Sequence, residues 1–166
     1  MGPFELATLI SAGATVVLAI YAGIQIWLMR KDVQESKLHR SATIAIHVIE
    51  TMDKLGHERH QLYALPNDHR IWNAKQRELA HHVCSKLQQV AYLAETGLFD
   101  EKYLLENYAG VFYKSWKKLE NFIRDYRESC GEPRTIEEGA FQRRHLEKFA
   151  RKCENYLKKF HLLDND

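Results

Sequence analysis

The sequence predicts an all-α fold: one N-terminal transmembrane helix that continues into a stalk, followed by a small antiparallel helical bundle. Three observations carry this expectation. Glu5 is the only charged side chain before Arg30, which leaves 24 uncharged residues from Leu6 to Met29. Beyond Arg30, apolar residues recur at three- and four-residue spacing and nothing alternates with a strand period. Gly and Pro gather at a few short sites that divide the remaining chain into helices. The expected parts are an anchor over 1–29, a juxtamembrane stalk over 30–65 and a bundle over 66–166.

The uncharged run, as a helix, reaches ~36 Å at ~1.5 Å per residue. That exceeds a bilayer core of about 30 Å. A cleaved signal peptide is disfavoured because no basic residue precedes the run and no small-x-small site follows it. Arg30, Lys31, Lys37 and Arg40 follow the run and no Lys or Arg comes before it, so the positive-inside rule expects an inner-membrane protein with its N-terminus out and its C-terminal domain cytoplasmic. Phe4 and Trp27 suit the two interfaces. Within the run, Ala7, Ser11, Thr15, Ala19 and Gly23 recur every fourth residue. Such a stripe of small side chains lets two backbones approach, and it is the expected helix-packing seam.

The stalk carries Leu38, Ala42, Ala45, Ile49 and Met52 on one face, and its pattern passes Gly56 and Tyr63 before Leu65-Pro66-Asn67-Asp68 ends it. A second helix is expected from an Asn67 or Asp68 cap, turning Trp72, Leu79, Val83, Leu87, Val90 and Ala91 inward and closing at Thr96-Gly97. Asp100 caps a third, with Leu104, Tyr108, Val111, Phe112, Trp116, Leu119, Phe122, Ile123 and Tyr126 inside, stopped by Cys130-Gly131-Glu132-Pro133. Thr135 with Glu138 has capping-box spacing for a fourth, burying Phe141, Phe149, Cys153, Leu157 and Phe160. The short connections favour antiparallel neighbours.

Balance and cysteine usage exclude several functions. There are 24 Lys and Arg against 22 Asp and Glu, interleaved, for a net charge of +2, so nucleic acid is an unlikely partner. Cys84, Cys130 and Cys153 are odd in number and have no C-x-x-C spacing, which points to reduced thiols and neither a disulfide framework nor a zinc site. Walker-type loops, G-x-S-x-G and G-x-G-x-x-G are absent.

Leu87-x-x-Val90-Ala91-Tyr92-Leu93, then Gly97-Leu98-Phe99-Asp100, Leu104, Tyr108, Trp116-x-x-Leu119, Phe122-Ile123 and Arg127 resemble an uncharacterised family of small, membrane-anchored bacterial helical proteins, domain of unknown function 4760. The resemblance implies the same architecture throughout, including the Arg59 to Tyr63 segment and a last helix opening near Phe141. It brings no reaction, cofactor or catalytic residue with it.

Two constellations remain. Arg77-Glu-Leu-Ala-His-His82 has the R-x4-H spacing of helical ribonucleases of the HEPN class, and Arg40 to His47 is a longer match. Eleven arginines and nine histidines make such spacings common by accident, so Arg77 and His82 are weak catalytic candidates. Glu78-x-x-His81 and His57-x-x-His60 put paired metal-ligand types on a helix face, but the counterpart at Gln142-x-x-His145 begins with Gln. No metal or cofactor is expected. Lysines beside aromatics at Trp116-Lys117-Lys118, and again at Lys148-Phe149, Arg151-Lys152 and Lys158-Lys159, read mainly as inner and outer helix faces. The expected function is non-catalytic: a membrane-anchored interaction or accessory protein that contacts the lipid bilayer and forms a homo-oligomer or docks onto another membrane protein. The alternative is a membrane-tethered HEPN-like ribonuclease or toxin-type effector.

Overall fold

A computed structural model describes the backbone of residues 3–162; the side chains of residues 3–20, 22–24, 32–38 and 40 lie outside the described set. The chain is all-helical, with no strand among the described residues. Helix α1 spans Pro3–Ala64, a 3₁₀ turn follows at His69–Ile71, and then come α2 (Ala74–Glu95), α3 (Glu101–Ser129) and α4 (Arg144–Lys159). The chain divides into two compact units, Met1–Thr43 and Ile44–Asp166.

In the first unit, Tyr21, Ile26, Trp27, Leu28 and Met29 are all exposed. Among the described residues no helix is long and apolar enough to cross a membrane. Most of the run from Leu6 to Met29, and the whole stripe of Ala7, Ser11, Thr15, Ala19 and Gly23, falls outside the described side chains.

The second unit is a helical bundle. Its core begins inside α1 with Val48, Met52, Leu55 and Leu62, and continues through Val83, Cys84, Leu87, Val90 and Ala91 of α2. Leu104, Phe112, Trp116, Leu119 and Ile123 of α3 and Leu146, Phe149, Cys153 and Leu157 of α4 complete it. The Phe112 and Phe149 rings meet edge to face at 4.7 Å. Such a contact adds about 1 kcal/mol beyond area burial. Helices α3 and α4 are antiparallel: Glu101 at the start of α3 bonds Lys152 late in α4, while Arg127 near the end of α3 bonds Glu147 in the first turn of α4.

Local signals explain most boundaries. Gly97, at φ 70°, supplies the left-handed residue that ends α2, and the Asp100 side chain accepts from the Lys102 amide to start α3. Other boundaries differ from expectation. Asp68 does cap, but it caps the 3₁₀ turn, accepting from the Arg70 amide at 3.0 Å. Helix α2 starts six residues later, on a reciprocal capping box between Asn73 and Gln76. Trp72 is buried as expected but precedes the helix, its indole nitrogen donating to the Pro66 carbonyl at 2.9 Å.

The fourth helix departs furthest. Glu138 accepts from the Thr135 amide at 3.3 Å, yet residues 136–139 form a turn and α4 begins only at Arg144, after Arg143 in the left-handed region at φ 58°. No side chain of Arg143 caps the helix; Gln88 of α2 reaches across instead and accepts from the Leu146 amide at 2.8 Å. Phe141 and Phe160, expected inside, are 64% and 52% exposed. Phe141 lies before the helix and is covered by the Arg144 guanidinium, 4.4 Å from its ring centre. In α1, Ala42 is exposed, Ala45 and Ile49 are half-buried, and Val48 is the residue that the face expected from the sequence omitted.

Candidate functional site

Among the described residues, a surface rich in ionisable side chains lies where the 3₁₀ turn meets α2 and α3. A cleft of about 310 Å³ is lined by Arg70, Arg77, His81, Phe122 and Tyr126 among others, and a neighbouring depression of about 440 Å³ shares His69, Arg70 and Asp125 with it. Asp68 folds the turn that presents His69, whose Nε2 lies 2.9 Å from Asp125 Oδ2. The other Asp125 oxygen accepts from Arg134, which also bonds Glu128 at 2.7 Å. His81 sits edge-on to both Phe122 and Tyr126, each at 4.9 Å. Burial, with a smaller contribution from the Arg143 charge, lowers its pKa below the usual imidazole value.

A histidine oriented by a carboxylate is half of an acid–base device, which also needs a nucleophile or bound water within reach. Two hydroxyls line this cleft: that of Ser129 donates to the Tyr126 carbonyl at 2.7 Å, and that of Tyr126 meets the Cys130 thiol, a contact that raises its pKa above the usual phenol value. The His69–Asp125 pair ties the turn to α3.

Arg77 and His82 do not share a cleft. The Arg77 guanidinium donates to the carbonyls of Trp72 and Arg70 at 3.0 and 3.1 Å, so it fastens the start of α2. His82 lies in a separate 290 Å³ cleft with His47, Glu50, Lys54 and Lys86, its Nε2 at 3.4 Å from Glu58. Five residues on a helix turn through about 500°, which puts the two side chains roughly 140° apart. Arg40 lies outside the described side chains.

The histidines of the metal-type pairs have other partners. His57 meets Gln61 at 2.9 Å, His60 Nδ1 meets the Gly56 carbonyl at 2.7 Å, and His145 bonds Glu95. Among the described residues no three His, Cys, Asp or Glu side chains form a group that could hold a metal ion. Cys84 and Cys153 are buried thiols whose pKa values burial pushes up to about 12, while Cys130 is exposed.

Sequence reasoning missed the strongest polar feature. Arg127 and Glu147 are both fully buried and joined at 2.7 Å. Arg127 also donates to the carbonyls of Gln142 and Arg134, each at 2.7 Å, while Arg151 bonds the second Glu147 oxygen at 2.7 Å. The signal was present: Phe112, Trp116, Leu119 and Ile123 have three-four spacing, and Arg127 is the next position in the series.

Fold and clefts together define an all-α protein whose polar side chains chiefly fasten helices to one another. The chain belongs to the family described as Domain of unknown function (DUF4760), whose profile matches residues 9–140. The match takes in α2 and α3 and stops short of α4. No curated protein and no solved structure matches the chain.

Proposed function

We propose that this is a non-catalytic, membrane-anchored interaction protein of the bacterial inner membrane, its N-terminus outside and its helical bundle in the cytoplasm, which self-associates or docks onto a larger membrane assembly. The observation that carries the reading is the uncharged run from Leu6 to Met29, with basic residues on its C-terminal side alone. The described part of that run supports it. Tyr21, Ile26, Trp27, Leu28 and Met29 are exposed, and at about 100° per residue they are distributed round the whole helix. A helix with exposed apolar side chains all round it and Gln25 as the exposed polar residue among them has no broad face suited to water. The stripe from Ala7 to Gly23 would supply the contact, because lipid offers no hydrophobic drive for helix association and close packing must do so. The ribonuclease alternative would bring Arg77 and His82 to one phosphate across a dimer; within one chain they line different clefts.

The test is single-cysteine crosslinking in membranes, on a background with Cys84, Cys130 and Cys153 replaced. Thr15 and Ala19 positions are expected to give a crosslinked product, and Val16 and Ile20 positions are not. Product from Val16 and Ile20 alone would place the seam elsewhere, and a chain washed from membranes by alkaline carbonate would defeat the anchor.

A further inference from the structure

We infer that a cleft between the end of α1 and α3 is a binding site for a small phosphate-bearing ligand, gripped by Lys114, Lys117 and Lys118. The cleft has a volume of about 450 Å³ and its lining contains no carboxylate. That separates it from the His82 cleft, where Glu50 and Glu58 face Lys54 and Lys86, and from the His69 cleft, where Asp125 is central.

The three lysines stand at i, i+3 and i+4 on α3, which places them on one face with neighbouring side chains ~5–6 Å apart at Cβ. Like charges at that spacing repel unless something answers them. Lys118 is half-buried, and its ammonium donates to the Leu65 carbonyl and to Asn67 Oδ1. Both acceptors are neutral, and among the described residues no carboxylate pairs with the ammonium. Lys114 and Lys117 make no ion pair among the described residues, and Lys117 reaches toward the Tyr113 ring at 5.8 Å. Glu154 acts on Lys117 from further away, but its carboxylate is engaged by Lys158 at 2.8 Å.

The chemistry selects the ligand class. Lysines are compact point charges with rotatable donors, suited to a tetrahedral dianion, whereas planar carboxylates favour the arginine fork. Tyr63 and Tyr113 add ring surface, and Asn67 and Asn121 add polar contacts without charge. The volume suits a ligand of nucleotide or headgroup size. The phosphate monoester can come from a soluble nucleotide or from a lipid headgroup; the experiment separates the two.

Full-length protein in nanodiscs is treated with an amine-acetylating reagent, and labelling of each lysine is read by mass spectrometry. One arm uses phosphatidylcholine discs with or without millimolar AMP, the other discs with or without phosphatidic acid. Lys75 and Lys159 serve as internal controls. Lys114 and Lys117 are expected to be protected several-fold in one arm, with the controls unchanged. Protection by AMP assigns a soluble ligand, and protection by phosphatidic acid assigns a headgroup. The K114Q/K117Q variant keeps the Lys118 bonds and hence the fold; losing two charged contacts should weaken AMP or headgroup binding by roughly tenfold or more. Absence of protection in both arms, equal protection of the controls, or unchanged binding by K114Q/K117Q would overturn the proposal.

Discussion

Replacing Arg127 with Ala should destabilise the bundle about as much as truncating a large core side chain. Arg127 is fully buried and makes three bonds at 2.7 Å: to Glu147 in α4, and to the carbonyls of Arg134 and Gln142 in the preceding connection. Bonds to a charged group contribute about 1.5–3 kcal/mol each, but bonds from one guanidinium do not add. Removing one member of a buried pair costs ~3–5 kcal/mol, largely because the other charge is left unanswered. Here Arg151 still holds Glu147 at 2.7 Å, which places the expected cost near ~3 kcal/mol, or a fall in Tm of ~10 °C for a domain of this size. Arg127→Lys should cost less but remain destabilising, because an ammonium cannot span three separated acceptors. The paired change Arg127→Met with Glu147→Leu should recover only the part due to the unanswered Glu147 charge, because the carbonyls of Arg134 and Gln142 still lose their donor. Urea unfolding of the full chain in mild detergent, followed by tryptophan fluorescence, measures this, because Trp72 and Trp116 are 3% and 6% exposed. An Arg127→Ala midpoint within the ~0.5 kcal/mol typical of surface changes would refute the reasoning.

Two further expectations follow from the ionisable groups. Alkylation at mildly alkaline pH should modify Cys130 first and spare Cys84 and Cys153 until the bundle unfolds, since burial holds both thiols up near 12; simultaneous labelling of all three in the native protein would contradict the packing. The hydrogen bond from His145 depresses the Glu95 pKa against the opposing effect of burial, with Lys148 adding to the depression. A depressed carboxylate stabilises fully above its unfolded value of ~4.3 and loses that contribution as pH falls through the folded value. Glu95→Gln should therefore flatten the decline of Tm with pH below ~4.3, and a curve parallel to the unaltered chain in that window would count against the pairing.

What could be read from the sequence was local. Gly97, Asp100 and the run from Leu104 to Ile123 act within a few residues of themselves, so spacing alone located α3 and the end of α2. The start of α2 was misplaced because two cap sites compete: Asp68 satisfies a 3₁₀ turn, and Asn73 with Gln76 forms the box that opens the helix. The connection before α4 was misread for a different reason. Its backbone is satisfied from a distance, by Arg127 on two carbonyls and by Glu132 on the amides of Phe141 and Gln142. A Thr135–Glu138 bond forms without a helix following it, and Phe141 is left outside. Arg77 and His82 were paired by counting positions, but helical rotation assigns them to different clefts.

The latch between α3 and α4 also determines how the last helix can move. Antiparallel helices lined with Leu, Phe and Ala can slide past each other by a turn and still meet apolar against apolar. Displacement of α4 by one turn, ~5.4 Å, would take Glu147 away from Arg127 and the Leu146 amide away from Gln88 in the same stroke. Both losses arise together and neither can be recovered by partial sliding. Helix α4 is therefore held in one register on its neighbours, by two polar contacts that a one-turn slip would break together.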